Sequence, residues 1–383
     1  MIVQNIMSRR IASHYALIDG ELQRDIVVEV DASGQITAIE RCTSIDNRAS
    51  VEFYPGILIP GMVNAHSHLE LAYLRGAIAE DTGFAGFARA IGQVRGNYTT
   101  EERRRAAASA DALMWEEGVQ AVVDIANDDL VMDIKERSQI EYHTMFEFFG
   151  INNTNVEELN ALAAQYANAS VTPHSTYSVS DAPFKAIADG STAPLSLHFL
   201  ESDDEEALYH RAGSLWAWYE RMGWRCDFLH YGSPAERITE SIAPEYSLFL
   251  VHATRATERD IQTIDHHFTT RPTWVLCPES NRYISRLMPP IDLLRSMGCK
   301  IAIGTDSLAS ARHLSMVDNM RQLGDIPLNE LLTYATINGA IALGLEAEIG
   351  SIEVGKRPGL VVIQNTDLST LRLTEESYSR RIL

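Results

Sequence analysis

The residues of this chain best able to do chemistry are histidines and acids that close apolar runs. His66 and His68 stand one residue apart after the run from Ile57 to Val63. In a β-strand residues i and i+2 face the same way, so a strand ending in His-x-His aims two imidazoles into one space, which suits a metal ion. The pair alone says little, because paired histidines also occur in ordinary loops. The ends of later apolar runs add Asp124, Glu147, His174, His198, His252, Cys277 and Asp306. Core strand positions favour Val, Ile and Leu, and a histidine among them needs a polar partner. Any one of these residues is more readily read as a satisfied structural group. Together they predict a metal centre.

The elements that must carry them alternate. Thr99 and Glu102 form a capping box for a helix through Trp115, stopped by Gly118. Buried strands are predicted over 119–125, 140–150, 170–174, 194–200, 246–252, 273–277 and 300–306. Helices fall between them: one from about Val156 to Asn168, one starting near Asp181, and a long one from Asp203 to Met222. With the strand ending at His66 this makes eight β units, which fits an α/β chain folded as a (β/α)8 barrel. Active sites in such barrels lie at the C-terminal ends of the strands.

Before the barrel, Ala16 to Asp19, Asp25 to Val30 and Ile36 to Glu40 read as strands, with turns at Asp19-Gly20 and Ser33-Gly34. After a helix from about Leu328 to Leu343, the chain returns to short strands, including Leu360 to Ile363. Residues 1–56 and 350–383 are therefore expected to form one small composite β domain, with the barrel spanning 57–349.

Composition bounds the partners. Apolar residues make up 45% of 383 positions, enough for a sizeable core. A formal net charge of −20 repels phosphate backbones and anionic lipid, so the expected partner is a small-molecule substrate, with no nucleic acid and no membrane; a homo-oligomer stays open. Cys42, Cys226, Cys277 and Cys299 show no short spacing, so neither a disulfide framework nor a cysteine zinc site is expected. No continuous apolar stretch marks the N-terminus or a membrane span, and the expectation is a reduced, cytoplasmic protein.

The segments NAHSHLELAYLRG, PHSTYSVS, LHFLES, LVHAT, CPESN, IGTDSLAS and TINGAIALGLEAEIGSIEVGKRPGLVVI resemble the amidohydrolase superfamily. The chain is most similar to the branch of cytosine deaminases and chlorohydrolases, which includes S-adenosylhomocysteine, methylthioadenosine and aminofutalosine deaminases. The resemblance runs in order over nearly the whole chain. It implies a distorted TIM-type barrel with a small β-sandwich built from both chain ends. It also implies one divalent metal ion, zinc or ferrous iron, held by His66, His68, His198 and Asp306. Other branches bridge two metals with a carboxylated lysine. Here Lys135 and Lys185 fall in helical stretches, and Lys300 starts a strand at its wrong end.

Glu201, three residues after His198, matches the H-x-x-E pattern and would move protons from the attacking water to the ring nitrogen and the leaving amine. The plain alternative is an acid at a helix start, which fits Asp203, Asp204, Glu205 and Glu206 better. His252 would stabilise the tetrahedral intermediate, and Asp306 would accept a proton while holding the metal. His174, Glu70, Arg75 and Asn281 are the candidate substrate contacts; a loop Asn is also a common turn residue, and Glu70 could instead pair with Arg75. Phe84 and Phe87 could cap the pocket or fill core. The implied activity is hydrolytic deamination of an amino-substituted aromatic heterocycle, an adenine nucleoside derivative foremost. The alternatives are a chlorohydrolase or cyclic amidohydrolase using the same site, and, least favoured, a non-catalytic metal-binding scaffold.

Overall fold

A computed structural model describes residues 8–42 and 50–383. The first seven residues and 43–49 of the expected composite domain lie outside them. The chain opens with β1 (Arg9–Ala12), β2 (Tyr15–Ile18), β3 (Glu21–Gln23), β4 (Ile26–Val30), β5 (Ile36–Arg41), β6 (Val51–Phe53) and β7 (Ile57–Pro60). It continues with β8 (Met62–Ser67), β9 (Val119–Ala126), β10 (Glu141–Phe148), β11 (Ala169–Pro173), β12 (Leu195–Phe199), β13 (Leu248–His252), β14 (Thr273–Leu276) and β15 (Lys300–Ile303). Two strands, β16 (Leu360–Gln364) and β17 (Tyr378–Arg381), end it.

β8 to β15 are all parallel and form two four-stranded sheets, ordered β11-β10-β9-β8 and β12-β13-β14-β15. Parallel bridges between Ser67 and Asp306 and between Ser175 and His198 join the sheets at both seams. The result is the eight-stranded barrel. Val123, Ile125, Met145, Phe249, Val251, Val275 and Ala302 fill one side of its wall. Leu195, Leu197, Leu250, Trp274 and Ile301 belong to a separate, larger cluster that includes the helix residues Ala110, Phe184 and Ile238.

The terminal strands make two further sheets, β5-β4-β1-β6 and β17-β16-β7-β2-β3. Ile11 and Val28 from one, with Ala16, Leu58 and Leu360 from the other, share one apolar cluster, giving the sandwich. The apolar run Ile57 to Val63, read as one strand, is two. Gly61 separates them: its N–H donates to the Pro358 carbonyl at 3.0 Å, and a Cβ there would sit 2.5 Å from that oxygen.

Three predicted helices are shorter or divided. The stretch from Asp203 breaks into Asp203–Tyr209 and Gly213–Met222, because Arg211 and Gly213 take positive φ and Asp204 accepts hydrogen bonds from the Ser214 N–H (2.8 Å) and hydroxyl (2.7 Å). Thr336 (φ −130°, ψ −93°) divides Leu328–Ala335 from Ile337–Leu343. The helix at Val156 ends at Ala163. The capping box at Thr99 and the Gly118 stop are as expected. Among the described residues, no helix is long and apolar enough to cross a membrane.

Candidate active site

The end of β8 is fixed by residues the sequence did not single out. Asn64, fully buried, donates to Thr305 Oγ1 at 2.8 Å and accepts from the Thr305 N–H at 3.1 Å. The N–H groups of Thr305 and Asp306 both donate to the His66 carbonyl at 3.0 Å. This welds the turn after β15 to β8. Gly304 is required there, since a Cβ would lie 2.8 Å from His66 Cβ.

On β12, Ser196 and His198 alternate with Leu195, Leu197 and Phe199, which belong to the large core cluster. His198 therefore faces the other way by simple strand period. His252 and Asp306 depend instead on left-handed turns: φ is 75° at His252, 52° at Ala253 and 57° at Asp306. Such backbone costs about 1–3 kcal/mol per residue and clusters where side chains must be aimed.

The structure brings the four proposed ligands together. His66, His68 and His198 each offer a ring nitrogen, all within 4.8 Å of one another. His66 Nε2 and His68 Nε2 are 3.1 Å apart, and Asp306 Oδ1 lies 3.5 Å from His68 Nε2 and 4.0 Å from His66 Nε2. Ligand atoms about 2.1 Å from a tetrahedral ion stand about 3.4 Å apart, so this donor set fits a divalent metal. His198 Nε2 is buried with no hydrogen-bond partner, as a ligand nitrogen would be. Ser280 and Ser310 donate to Asp306 Oδ2 at 2.5 and 3.0 Å and leave Oδ1 toward the histidines. Lys135 is buried elsewhere, against Asp124 and Thr144 Oγ1. Cys277 joins the apolar interior, its thiol pushed well up by burial.

Glu201 and His252 border the same cluster. Glu201 Oε2 is 3.5 Å from His198 Nδ1, and Oε1 is 3.8 Å from His252 Nε2. Burial would raise the Glu201 carboxyl, but His252 and His198 outweigh it and hold it below its ordinary range. Burial alone would lower His198; the Glu201, Glu147 and Asp306 carboxylates instead lift it to about 9. Three anions around one imidazole mark a place for positive charge. Asn281 does not line the cavity; its Nδ2 donates to His252 Nδ1 at 3.0 Å, and His252 Nε2 is turned to His198 Nδ1 at 3.2 Å, with Glu201 Oε1 farther off at 3.8 Å.

Beside the cluster opens a cavity of about 500 Å³. His174 lines it, its Nδ1 hydrogen-bonded to Ser178 Oγ at 2.8 Å and its ring stacked 4.5 Å from that of His198. Glu147, named at a strand end but given no task, also lines it. Phe84 and Phe87 do so as well, on the face Phe84, Phe87, Ala88, Ile91 and Gly92 of the Phe84–Val94 helix, which has i, i+3, i+4, i+7 spacing, with Arg95 just past its end. Trp218, Tyr219 and Trp224 complete this aromatic wall and went unnoticed in the sequence. Glu70 and Arg75 lie outside the lining. Glu70 is 1% exposed, its carboxyl raised to about 7 by burial and by Asp128, and Arg75 Nη2 approaches His313 Nδ1 at 3.1 Å.

Comparison with known proteins adds the following. The amidohydrolase family profile matches residues 57–378. An adenosine deaminase of Helicobacter pylori is 27% identical over 81% of this chain and 79% of its own length. A 5-methylthioadenosine/S-adenosylhomocysteine deaminase of Saccharophagus degradans is 25% identical over 94% of this chain and 80% of its own. Among solved structures, Helicobacter pylori aminofutalosine deaminase in complex with methylthio-coformycin superposes with a TM-score of 0.81 at 23% identity, covering 96% of this chain and 93% of that one. An adenosine deaminase from Xanthomonas campestris with bound zinc gives 0.71 at 25% identity, over 94% and 85%.

Proposed function

The chain belongs to the amidohydrolase family and is a hydrolase of carbon–nitrogen bonds, and on that premise we propose a metal-dependent deaminase of adenine nucleoside derivatives that releases ammonia. The observation that carries this is Glu201 standing between His198 and His252, beside a donor set that fits a single divalent ion. We assign zinc to His66, His68, His198 and Asp306. When bound, such an ion acidifies a water to a pKa of about 7.

The protein's own groups do the rest. Glu201, held as a carboxylate, takes one proton of the attacking water and delivers it to the ring nitrogen, then carries the second, from the hydroxyl so added, to the amine as the C–N bond breaks. An amino group departs poorly until it is protonated to leave as ammonia, so a carboxylate at this position favours deamination over chloride displacement. His252, whose Nδ1 is held by Asn281, turns Nε2 toward the cluster and in the reaction donates from it to the oxygen that gains charge in the tetrahedral intermediate. His174 Nε2 is free to contact the base, because Ser178 engages Nδ1. The aromatic wall suits an apolar substituent on the sugar, and its one cation, Arg95, adds room for a single carboxylate. These features favour a methylthio or aryl nucleoside, such as aminofutalosine, over a zwitterionic amino-acid tail.

Ultraviolet spectra of metal-replete protein with adenosine, 5′-methylthioadenosine, S-adenosylhomocysteine and aminofutalosine test the reading. Adenine-to-hypoxanthine conversion blue-shifts the absorbance. Turnover of chlorinated triazines or cyclic amides alone would reject it.

A further inference from the structure

Asp124, near the end of β9, is fully buried and ion-paired with Lys135, itself only 5% exposed. Lys135 Nζ also donates to Thr144 Oγ1 at 3.1 Å, on the neighbouring strand β10. Neither member of the pair lines the cavity, and neither has a task in the reaction just described. A buried ion pair is weak support for a fold, because desolvating both charges offsets most of their attraction. Apolar residues of similar size often pack in its place with equal or better stability, so the pair calls for another account.

The second carboxylate oxygen supplies one. While Oδ2 meets Lys135, Asp124 Oδ1 accepts from the Leu69 N–H at 2.7 Å. Leu69 directly follows His68, one of the four assigned metal ligands. His68 is where β8 gives way to the short helix Leu69–Leu74, and its backbone (φ −129°, ψ 80°) belongs to neither element. Regular ladder pairing does not hold it, since the register between β8 and β9 shifts between Asn64 and Ser67. The ψ angle of His68 sets the direction of the Leu69 N–H relative to the His68 side chain. A fixed acceptor for that N–H therefore fixes the point from which the imidazole reaches out. On the other flank, the N–H groups of Thr305 and Asp306 hold the His66 carbonyl in the same manner. Satisfying one N–H at a helix start needs only a side-chain oxygen such as that of Asn or Ser, with no buried lysine. What Lys135 adds is a hold on Oδ2, which stops the carboxylate from turning about its Cβ–Cγ bond.

We propose that Asp124 and Lys135 are positioning residues for His68, their ion pair holding its imidazole in the geometry that a tetrahedral divalent ion requires. This rests on the metal assignment above and is independent of which substrate the enzyme takes.

Titrating metal-free protein with zinc against a chromophoric chelator gives the affinity. The visible spectrum of the cobalt(II) form reports ligand geometry, and thermal melting of the metal-free protein reports stability. Asp124→Leu/Lys135→Met removes both charges and the acceptor together. It should bind zinc about 10- to 100-fold more weakly and change the cobalt spectrum, while melting metal-free at or above the wild-type temperature. Asp124→Asn/Lys135→Met keeps an acceptor for the Leu69 N–H on an amide free to turn, and should weaken zinc binding by about 3- to 10-fold. Wild-type affinity and cobalt spectrum in the first variant overturn the proposal, as does a lower metal-free melting temperature with affinity unchanged. If only the second variant folds, wild-type affinity in it does the same; if neither folds, the pair is structural and the proposal falls. A wild type that takes up neither zinc nor cobalt overturns the metal assignment and this proposal with it.

Discussion

The polar floor of the cavity and its aromatic wall are built on opposite principles. The floor comes from the ends of β8, β12 and β13 and the turn after β15, where bonds such as Ser280 to Asp306 and Asn281 to His252 hold single atoms in place. The wall comes from two helices, Phe84–Val94 and Gly213–Met222, that have no side-chain cap. Apart from the Tyr219 hydroxyl, which donates to the Tyr177 carbonyl at 3.2 Å, its rings meet by ring contact: Trp218 and Trp224 centroids are 5.5 Å apart, Tyr219 and Trp224 5.1 Å, Phe84 and Tyr177 5.6 Å. Charge development in a transition state rewards fixed dipoles, whereas binding a substituent rewards area removed from water. The contrast separates reaction type, which belongs to the floor, from substrate range, which belongs to the wall.

That separation can be broken or sharpened by experiment. The largest effect is expected in the floor. Glu201→Gln should lower kcat by about 10²- to 10⁴-fold on every substrate while the purified protein keeps its metal, read by elemental analysis. Retained turnover would remove Glu201 from the proton path.

A smaller, selective effect is expected in the wall. Trp218→Ala should lower kcat/KM about 30-fold for nucleosides with a methylthio or aryl group at the 5′ carbon, and far less for adenosine. An equal loss on both would show that floor and wall act as one unit.

The smallest effect on turnover concerns the joint between them, the loop 175–178. Thr176 Oγ1 donates to buried Glu205 Oε1 at 2.6 Å, and Tyr209 and Tyr219 donate to the Thr176 and Tyr177 carbonyls at 2.9 and 3.2 Å. Burial pushes the Glu205 carboxyl up to about 8. The folded state thus keeps a proton that the unfolded chain loses above its ordinary value of 4.5. Stability from this group is complete below that value and is lost as pH rises toward 8. Glu205→Gln carries no such proton, so its melting temperature should gain on the wild type between pH 5 and 8, by an amount on the order of 2 kcal/mol in stability. A constant difference across that range would place the titration elsewhere.

The floor was legible because strands advertise themselves: a histidine closing an apolar run is out of place, and eight such runs order themselves into a barrel. Asn64 gave no signal, since its partner Thr305 is 241 residues away in the chain. Glu147 was visible as a strand end, but only the pairing with Asn127 and the approach to His174 show which way it points. The wall was illegible for a different reason. Leu215, Trp218 and Tyr219 have the i, i+3, i+4 spacing of any buried helix face, and the break at Arg211 that frees their helix depends on Asp204 folding back onto Ser214. Glu70 and Arg75 were named as substrate contacts, yet the short helix Leu69–Leu74 carries Glu70 into the interior beside Asp124 and Asp128.

Gly61 sets a phase. Before it β7 pairs with β16, Ile59 opposite Val361; immediately after it, Met62 N–H bonds to the Gly118 carbonyl and the barrel begins. Side chains in a strand alternate with period two, and β8 interrupts that count with register shifts at Met62/Val63 and between Asn64 and Ser67, so the clamp on β7 and these irregularities together decide which way His66 faces. The two leading imidazoles are thereby timed by a strand some three hundred positions downstream. One residue added or removed between Pro60 and His66 would shift both against His198 and Asp306, a lesion that no inspection of the donor atoms alone would foresee.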